Sequence, residues 1–137
     1  MRLIDKKIID KLLKEAEQSS RKRAHLLLHS NHQEPVQRIL IGLVKGSFVE
    51  PHYHKLPTKW EMFSIIHGEL SIKIYDDLGN VTQSETISNN EAHPKLIEFQ
   101  HGEIHSVECM SETALILEIK EGPFIHKNAK FFPSWGL

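Results

Sequence analysis

The stretch VQRILIGLVKGSFVEPHYHKLPTKWEMFSIIHGELSIKIY, Val36–Tyr75, decides how the chain is read. It breaks into short runs rich in Val, Ile and Phe: Val36–Val44, Ser47–His54, Glu61–His67 and Glu69–Tyr75. Four more follow at Val81–Ile87, Lys95–Phe99, Ile104–Cys109 and Thr113–Lys120. Runs of this length, separated by turn residues, predict strands of a β-sandwich or barrel and exclude alternating βα units. Asp76-Asp-Leu-Gly79-Asn80 is a hairpin signal between two of them. Upstream, Leu3, Ile4, Ile8, Ile9, Leu12, Leu13 and Ala16 recur near a period of 3.6 and predict one amphipathic helix. Asp5 is its expected N-cap, and Ser19 and Ser20 its expected end. Gly122–Leu137, with two prolines, Phe131, Phe132 and Trp135, is expected to pack over the barrel as an irregular strap.

Composition bounds what such a domain does. At 137 residues the chain is one domain, able to bury roughly two thirds of its unfolded surface. Seventeen Lys and Arg against eighteen Asp and Glu leave a net charge of −1, without the basic excess of a nucleic-acid binder. The single cysteine, Cys109, excludes an internal disulfide and a Cys-rich zinc site. No apolar run reaches the length of a membrane span, and the start, MRLIDKKIIDKLLKE, is too charged for a signal-peptide core. A soluble cytoplasmic protein is the expectation. Ten histidines are the unusual feature.

In Gly46-Ser-Phe-Val-Glu-Pro-His52-Tyr-His54 two histidines stand two apart in an extended run. A strand repeats every two residues, so His52 and His54 share a face, about 6–7 Å apart along the strand. Glu61 opens the next strand, and Gly102-Glu-Ile-His105 brings a third histidine to the opening of a later one. Three imidazoles and a carboxylate suit a divalent first-row metal: Fe, Mn, Ni, Cu or Zn. Four protein ligands leave coordination positions for water or substrate, as a catalytic metal requires. Taken alone, His-x-His also describes two solvated surface histidines, and Glu61 an exposed carboxylate at a strand end.

Gly46-x5-His52-x-His54-x6-Glu61-x6-Gly68 resembles the first motif of the cupin superfamily, and Gly102-x2-His105 resembles the core of the second. Arg21-Lys-Arg23-Ala-His25, Leu28-His29, Pro35-Val-Gln37-Arg38, Lys59-Trp60-Glu61 and Gly122-Pro123 narrow the resemblance to the WbuC-type cupin fold metalloproteins. The resemblance implies an all-β fold: a single cupin barrel or jelly roll of six to eight strands, with the N-terminal α-helix outside it. The division implied is residues 1–34 as helix and connecting arm, and 35–137 as barrel with C-terminal strap. It implies His52, His54, Glu61 and His105 as metal ligands, a setting in polysaccharide (O-antigen type) biosynthesis, and a homodimer. Three departures stand out. Six residues separate His54 from Glu61, a gap the WbuC-type group shares. Gln100 replaces the proline expected two before Gly102, which should loosen that turn. Cys109 replaces the motif's final asparagine and, four residues past His105, points to the same interior.

Other residues have two readings each. Arg21, Lys22 and Arg23 either complement the helix C-terminal dipole or grip an anionic ligand. Arg38 is a better anchor than that cluster if it faces the barrel. His25 and His29, four apart, are expected to be structural or to contact substrate; on a helix they would share one face. Arg23, His25, His29 and Arg38 are thus the expected substrate contacts. His32, His67, His93, His101 and His126 read as ordinary surface or hydrogen-bonded histidines, and Cys109 as a small buried hydrophobe. Tyr53 should face away from the ligand histidines, and Trp60 should pack at the pocket rim. The function expected is a metal-dependent enzyme acting on a small polar metabolite, anionic or sugar-like, by isomerisation, epimerisation or oxygenation. A non-catalytic metal-containing module binding a saccharide or small acid is the alternative. A third is a cupin working without metal through histidine and acid residues, against which the intact ligand set speaks. Neither nucleic acid nor membrane is an expected partner.

Overall fold

The computed structural model describes residues 1–136. Helix α1, Lys6–Gln18, starts where the Asp5 carboxylate accepts the Ile8 N–H at 3.0 Å, and ends where the Ser19 N–H donates to Ala16 O. Its buried face, Leu12 and Ala16, lies on the outer side of strands β1 (Arg23–Leu27) and β2 (Val36–Val44), where Leu12 packs with Leu40 and Leu115. Gly42 admits the helix closely: a Cβ there would stand 3.2 Å from Leu12 and Leu13.

The remaining strands are β3 (Phe48–His52), β4 (Trp60–His67), β5 (Glu69–Tyr75), β6 (Val81–Ser88), β7 (Leu96–Gln100), β8 (Ile104–Cys109) and β9 (Thr113–Glu121). They form two sheets, ordered β1-β2-β9-β4-β7 and β3-β8-β5-β6, with every pairing antiparallel. This is the jelly roll expected, with nine strands among the described residues where six to eight were anticipated. The additional strand is β1, in the arm for which no strand was read.

Alternation puts Ile39, Ile41, Leu43, Phe63 and Ile65 of the first sheet against Leu70, Ile72, Ile87, Val107 and Cys109 of the second. Each such side chain, fully buried, contributes about 1.5–3 kcal/mol. The strap is held over its C-terminal half. Tyr53 and Phe131 exchange backbone hydrogen bonds at 3.0 Å, and Trp135 Nε1 donates to Asp77 O at 2.9 Å across the β5–β6 turn. Among the described residues, no helix is long and apolar enough to cross a membrane.

Candidate metal centre

The β3/β8 register sets His52 directly opposite His105, after an irregularity between Val49 and His52. His54 lies just past the end of β3, and Glu61, second in β4, faces Lys120 on β9 and Phe99 on β7. All four residues are buried, and one ligand atom from each lies within 4.8 Å of the others. The grouping read from spacing is therefore present. Tyr53 turns away, its ring against Phe131 at 5.8 Å.

Hydrogen bonding fixes the imidazoles in one tautomer. His52 Nδ1 pairs with Glu50 O at 2.9 Å, His54 Nδ1 with Ala129 O at 2.7 Å, and His105 Nδ1 with Glu103 O at 3.0 Å. A carbonyl only accepts, so each Nδ1 carries a proton and each ring turns Nε2, the nitrogen left for a metal, to the centre. This is the outer arrangement that orients histidine ligands to a metal. The His105 ring is further fixed by stacking on Phe99, 3.8 Å between centroids and 8° between planes.

The donor set fits a cation. His105 Nε2 is buried with no hydrogen-bond partner, 3.5 Å from Glu61 Oε2, and His54 Nε2 lies 2.7 Å from the same oxygen. A convergent set of lone pairs and a carboxylate fits a divalent ion. Electrostatics agree. Burial alone would raise the Glu61 pKa, but His105 and His54 outweigh it and hold the carboxyl well below its ordinary range. Burial and the neighbouring His105 push His52 down to about 2, whereas Glu61 overcomes burial and lifts His54 above its usual value.

The centre opens into a cavity of about 490 Å³ whose wall includes His52, Glu61, Glu118 and Lys120. Glu118 and Lys120, two apart on β9, share the inner face, and Lys120 Nζ binds Glu118 Oε1 at 3.0 Å. Burial and nearby Glu61 push the Glu118 pKa up against the pull of Lys120. Lys120, despite burial, is held above its usual value by Glu118 and Glu61. Neither residue was singled out from sequence. The end of a strand with alternating charges reads as solvated surface, and only the β4/β9 pairing places these two beside Glu61.

Of the expected substrate contacts, Arg23, His25 and His29 line the cavity. They do so from β1 and the loop after it, not from a helix. Arg38 does not. Gln37, Ile39, Ile41 and Leu43 take the inner face of β2, so Arg38 points outward and pairs with Glu34 at 2.9 Å. His32 and His126, read as surface histidines, are exposed and also line the cavity. Trp60 is not among the lining residues. Cys109 is a core residue, 1% exposed, its thiol bonded to Ser111 O. The turn before His105 is not loosened by Gln100. Its N–H, which a proline would lack, donates to Glu103 Oε2 at 2.7 Å, and the Gly102 N–H donates to His54 O at 2.8 Å.

Solved structures share this architecture. Oxalate decarboxylase from Bacillus subtilis superposes with a TM-score of 0.60 at 21% identity, covering 80% of this chain and 27% of its own. An oxalate oxidase in complex with the substrate analogue glycolate gives 0.62 at 16%, covering 83% and 56%. KdgF from Halomonas sp. gives 0.58 at 10%, covering 77% and 82%. The chain thus spans about a quarter of the decarboxylase. Likeness at these identities shows a common fold, the cupin jelly roll. No curated protein matches the chain in sequence. Residues 4–87, which carry His52, His54 and Glu61 but not His105, match the sequence model of a family described as a domain of unknown function (DUF6016), and the chain belongs to that family.

Proposed function

We propose that the protein is a metal-binding cupin enzyme that isomerises or epimerises a small hydroxy acid or sugar derivative. One observation carries this reading. Two members of the buried group of His52, His54, Glu61 and His105, namely His52 and Glu61, share a cavity wall with a buried acid–base pair, Glu118 and Lys120. A divalent ion held by the four residues would supply Lewis acidity toward a substrate oxygen. The chain's own residues supply the rest. Glu118, with its pKa pushed up, is placed to accept a proton from a bound substrate and return it, and Lys120 holds the carboxylate Oε1 in position. Arg21, Arg23 and Lys130 line the same cavity and add basic groups to it, which favours an anionic ligand. Oxalate decarboxylase of B. subtilis, which shares the fold, has Mn(II) centres, which makes manganese the first metal to try. A place in polysaccharide biosynthesis, a homodimer and the substrate's sugar character rest on the resemblance to WbuC-type proteins. The reading is tested by incubating Mn(II)-loaded protein with aldonates, uronates and 2-hydroxy acids in D2O and following loss of the carbon-bound proton by NMR. Exchange that is abolished in Glu118→Gln, with metal content unchanged, is expected. Exchange unaffected by Glu118→Gln removes the assigned base, and binding without exchange identifies a non-catalytic module.

A further inference from the structure

A second cleft, of about 560 Å³, adjoins the cavity, and Arg21, Arg23, Val49, Lys130 and Phe132 line both. Three cationic side chains thus meet at the junction, in a chain whose net charge is −1. The fold pins the backbone that carries the two arginines. Lys22, with a φ of 56°, turns the chain into β1, and its O accepts the Val44 N–H at 3.1 Å. Arg21 O accepts the Ser47 hydroxyl at 3.2 Å. Arg23 Nη1 donates to Arg21 O and to Phe48 O, each at 3.3 Å, which sets the guanidinium beside the start of β3, the strand that leads to His52.

Lys130 arrives from the strap. Tyr53 and Phe131 are bridge partners whose rings lie together on one side. Their neighbours alternate to the other side, so Lys130 and Phe132 share the face of His52 and His54. The bond from His54 Nδ1 to Ala129 O, at 2.7 Å, ties the residue before Lys130 to the metal group. Lys130 accordingly stands between the two regions: its charge acts on His52, and the charge of Arg23 acts on it. Burial pushes the Lys130 pKa down, Glu118 and Glu61 oppose this, and Arg23 and Lys120 reinforce it. No ion pair among the described residues involves Arg21, Arg23 or Lys130. Lys22 and Glu50 line the outer cleft alone and carry opposite charges. Burial and Arg21 lower the Arg23 pKa, with Glu50 opposing them.

Three cations held together without a paired carboxylate suit a ligand of matching charge. A carboxylate answers one of them, whereas a phosphate monoester brings about −1.5 to −2 and three acceptor oxygens. The pinned backbone on both sides lowers the ordering cost of binding it. We propose that Arg21, Arg23 and Lys130 form a phosphate subsite at the junction of the two clefts. The substrate is then an elongated molecule with chelating oxygens at one end and a phosphate monoester at the other. The chelating end rests on the reading of His52, His54, Glu61 and His105 as metal ligands; the phosphate subsite does not.

Two titrations test this. In the first, inorganic phosphate is added to Zn(II)-loaded protein, or to metal-free protein if no metal is taken up, and followed by proton–nitrogen NMR. The amides of Arg21, Lys22, Arg23 and Lys130 should shift saturably in wild type and not in Arg23→Gln or Lys130→Gln. Lys73→Gln, an equal change of charge at an exposed position of β5, should leave the shifts in place. In the second, isothermal titration of Mn(II)-loaded protein compares D-gluconate, D-glucarate and 6-phosphogluconate, which share one chelating end. Phosphogluconate should bind at least tenfold tighter than gluconate, and tighter than glucarate. Its ratio to gluconate should fall toward one in Arg23→Gln and Lys130→Gln but not in Lys73→Gln. Absence of saturable shifts at these amides overturns the subsite, as do shifts or ratios that survive both variants or fall equally in Lys73→Gln. Glucarate bound as tightly as phosphogluconate overturns the assignment of phosphate, and phosphate shifts with a ratio of one overturn the elongated substrate. If the protein takes up no metal, shifts that depend on Arg23 and Lys130 sustain the subsite alone, and their absence overturns it as well.

Discussion

Gly68 and Gly102 bracket the two histidine motifs and look interchangeable in sequence, yet the structure assigns them different costs on substitution. Both have positive φ, +85° and +84°. An alanine in that region costs about 1–2 kcal/mol from Cβ sterics alone, and its effect on the unfolded chain is common to both sites. Space separates them. A Cβ on Gly68 would stand 2.3 Å from Thr113 O and 2.8 Å from Ala114 Cα, both backbone atoms of β9, whereas a Cβ on Gly102 meets nothing within 4 Å. Moving backbone in a packed sheet adds about 1–3 kcal/mol. Gly68→Ala should therefore lose about 2–5 kcal/mol and Gly102→Ala about 1–2 kcal/mol, the latter keeping the N–H that binds His54 O. Urea unfolding followed by the fluorescence of Trp60 and Trp135 should separate the two midpoints by about 1 M at the slopes usual for small domains. Equal losses, or a larger loss at Gly102, would refute the argument that β9 closes over Gly68.

Three further outcomes are expected. Gln100→Pro, which installs the residue the cupin motif calls for, should destabilise this chain by about 1–2 kcal/mol, because it deletes the donor to Glu103; thermal melting of the variant and of Glu103→Ala checks it. Asp5→Ala should cost about 1 kcal/mol through loss of the bond to the Ile8 N–H, read as a lowered urea midpoint. The third concerns pH. Folding depresses the His52 pKa to about 2, so its contribution is fully present above the ordinary value near 6.5 and declines as pH falls from there toward 2. His54, raised by Glu61, contributes in the opposite sense, fully below 6.5 and less as pH rises through its folded value. Metal-free His52→Asn should accordingly lose less stability than metal-free wild type between pH 6.5 and 5, by up to about 1.4 kcal/mol per pH unit in urea titrations.

What the sequence disclosed follows from how locally each feature is encoded. Strands β2 to β9 were legible because their apolar residues alternate or run together between turn residues, and Val36–Val44, Glu69–Tyr75 and Ile104–Cys109 match to the residue. β1 was not, because Arg23 and His25 share its cavity-facing side with Leu27, so that side shows no run of alternating apolar residues. His52 and His54 were legible through strand parity, whereas the irregularity before His52 that brings it opposite His105 leaves no mark in composition. Glu118 and Lys120 depend on a cross-strand pairing more than fifty residues distant in sequence.

The most direct test of the central claim is metal content by elemental analysis of tag-free protein, alongside His52→Ala and His105→Ala. The account predicts about one transition-metal equivalent per wild-type chain and its loss in both variants, with the variants still folded by circular dichroism. Wild-type protein that takes up no metal after reconstitution with Fe(II), Mn(II), Ni(II) and Zn(II), or variants that retain it, would contradict the assignment of His52, His54, Glu61 and His105 as a metal centre.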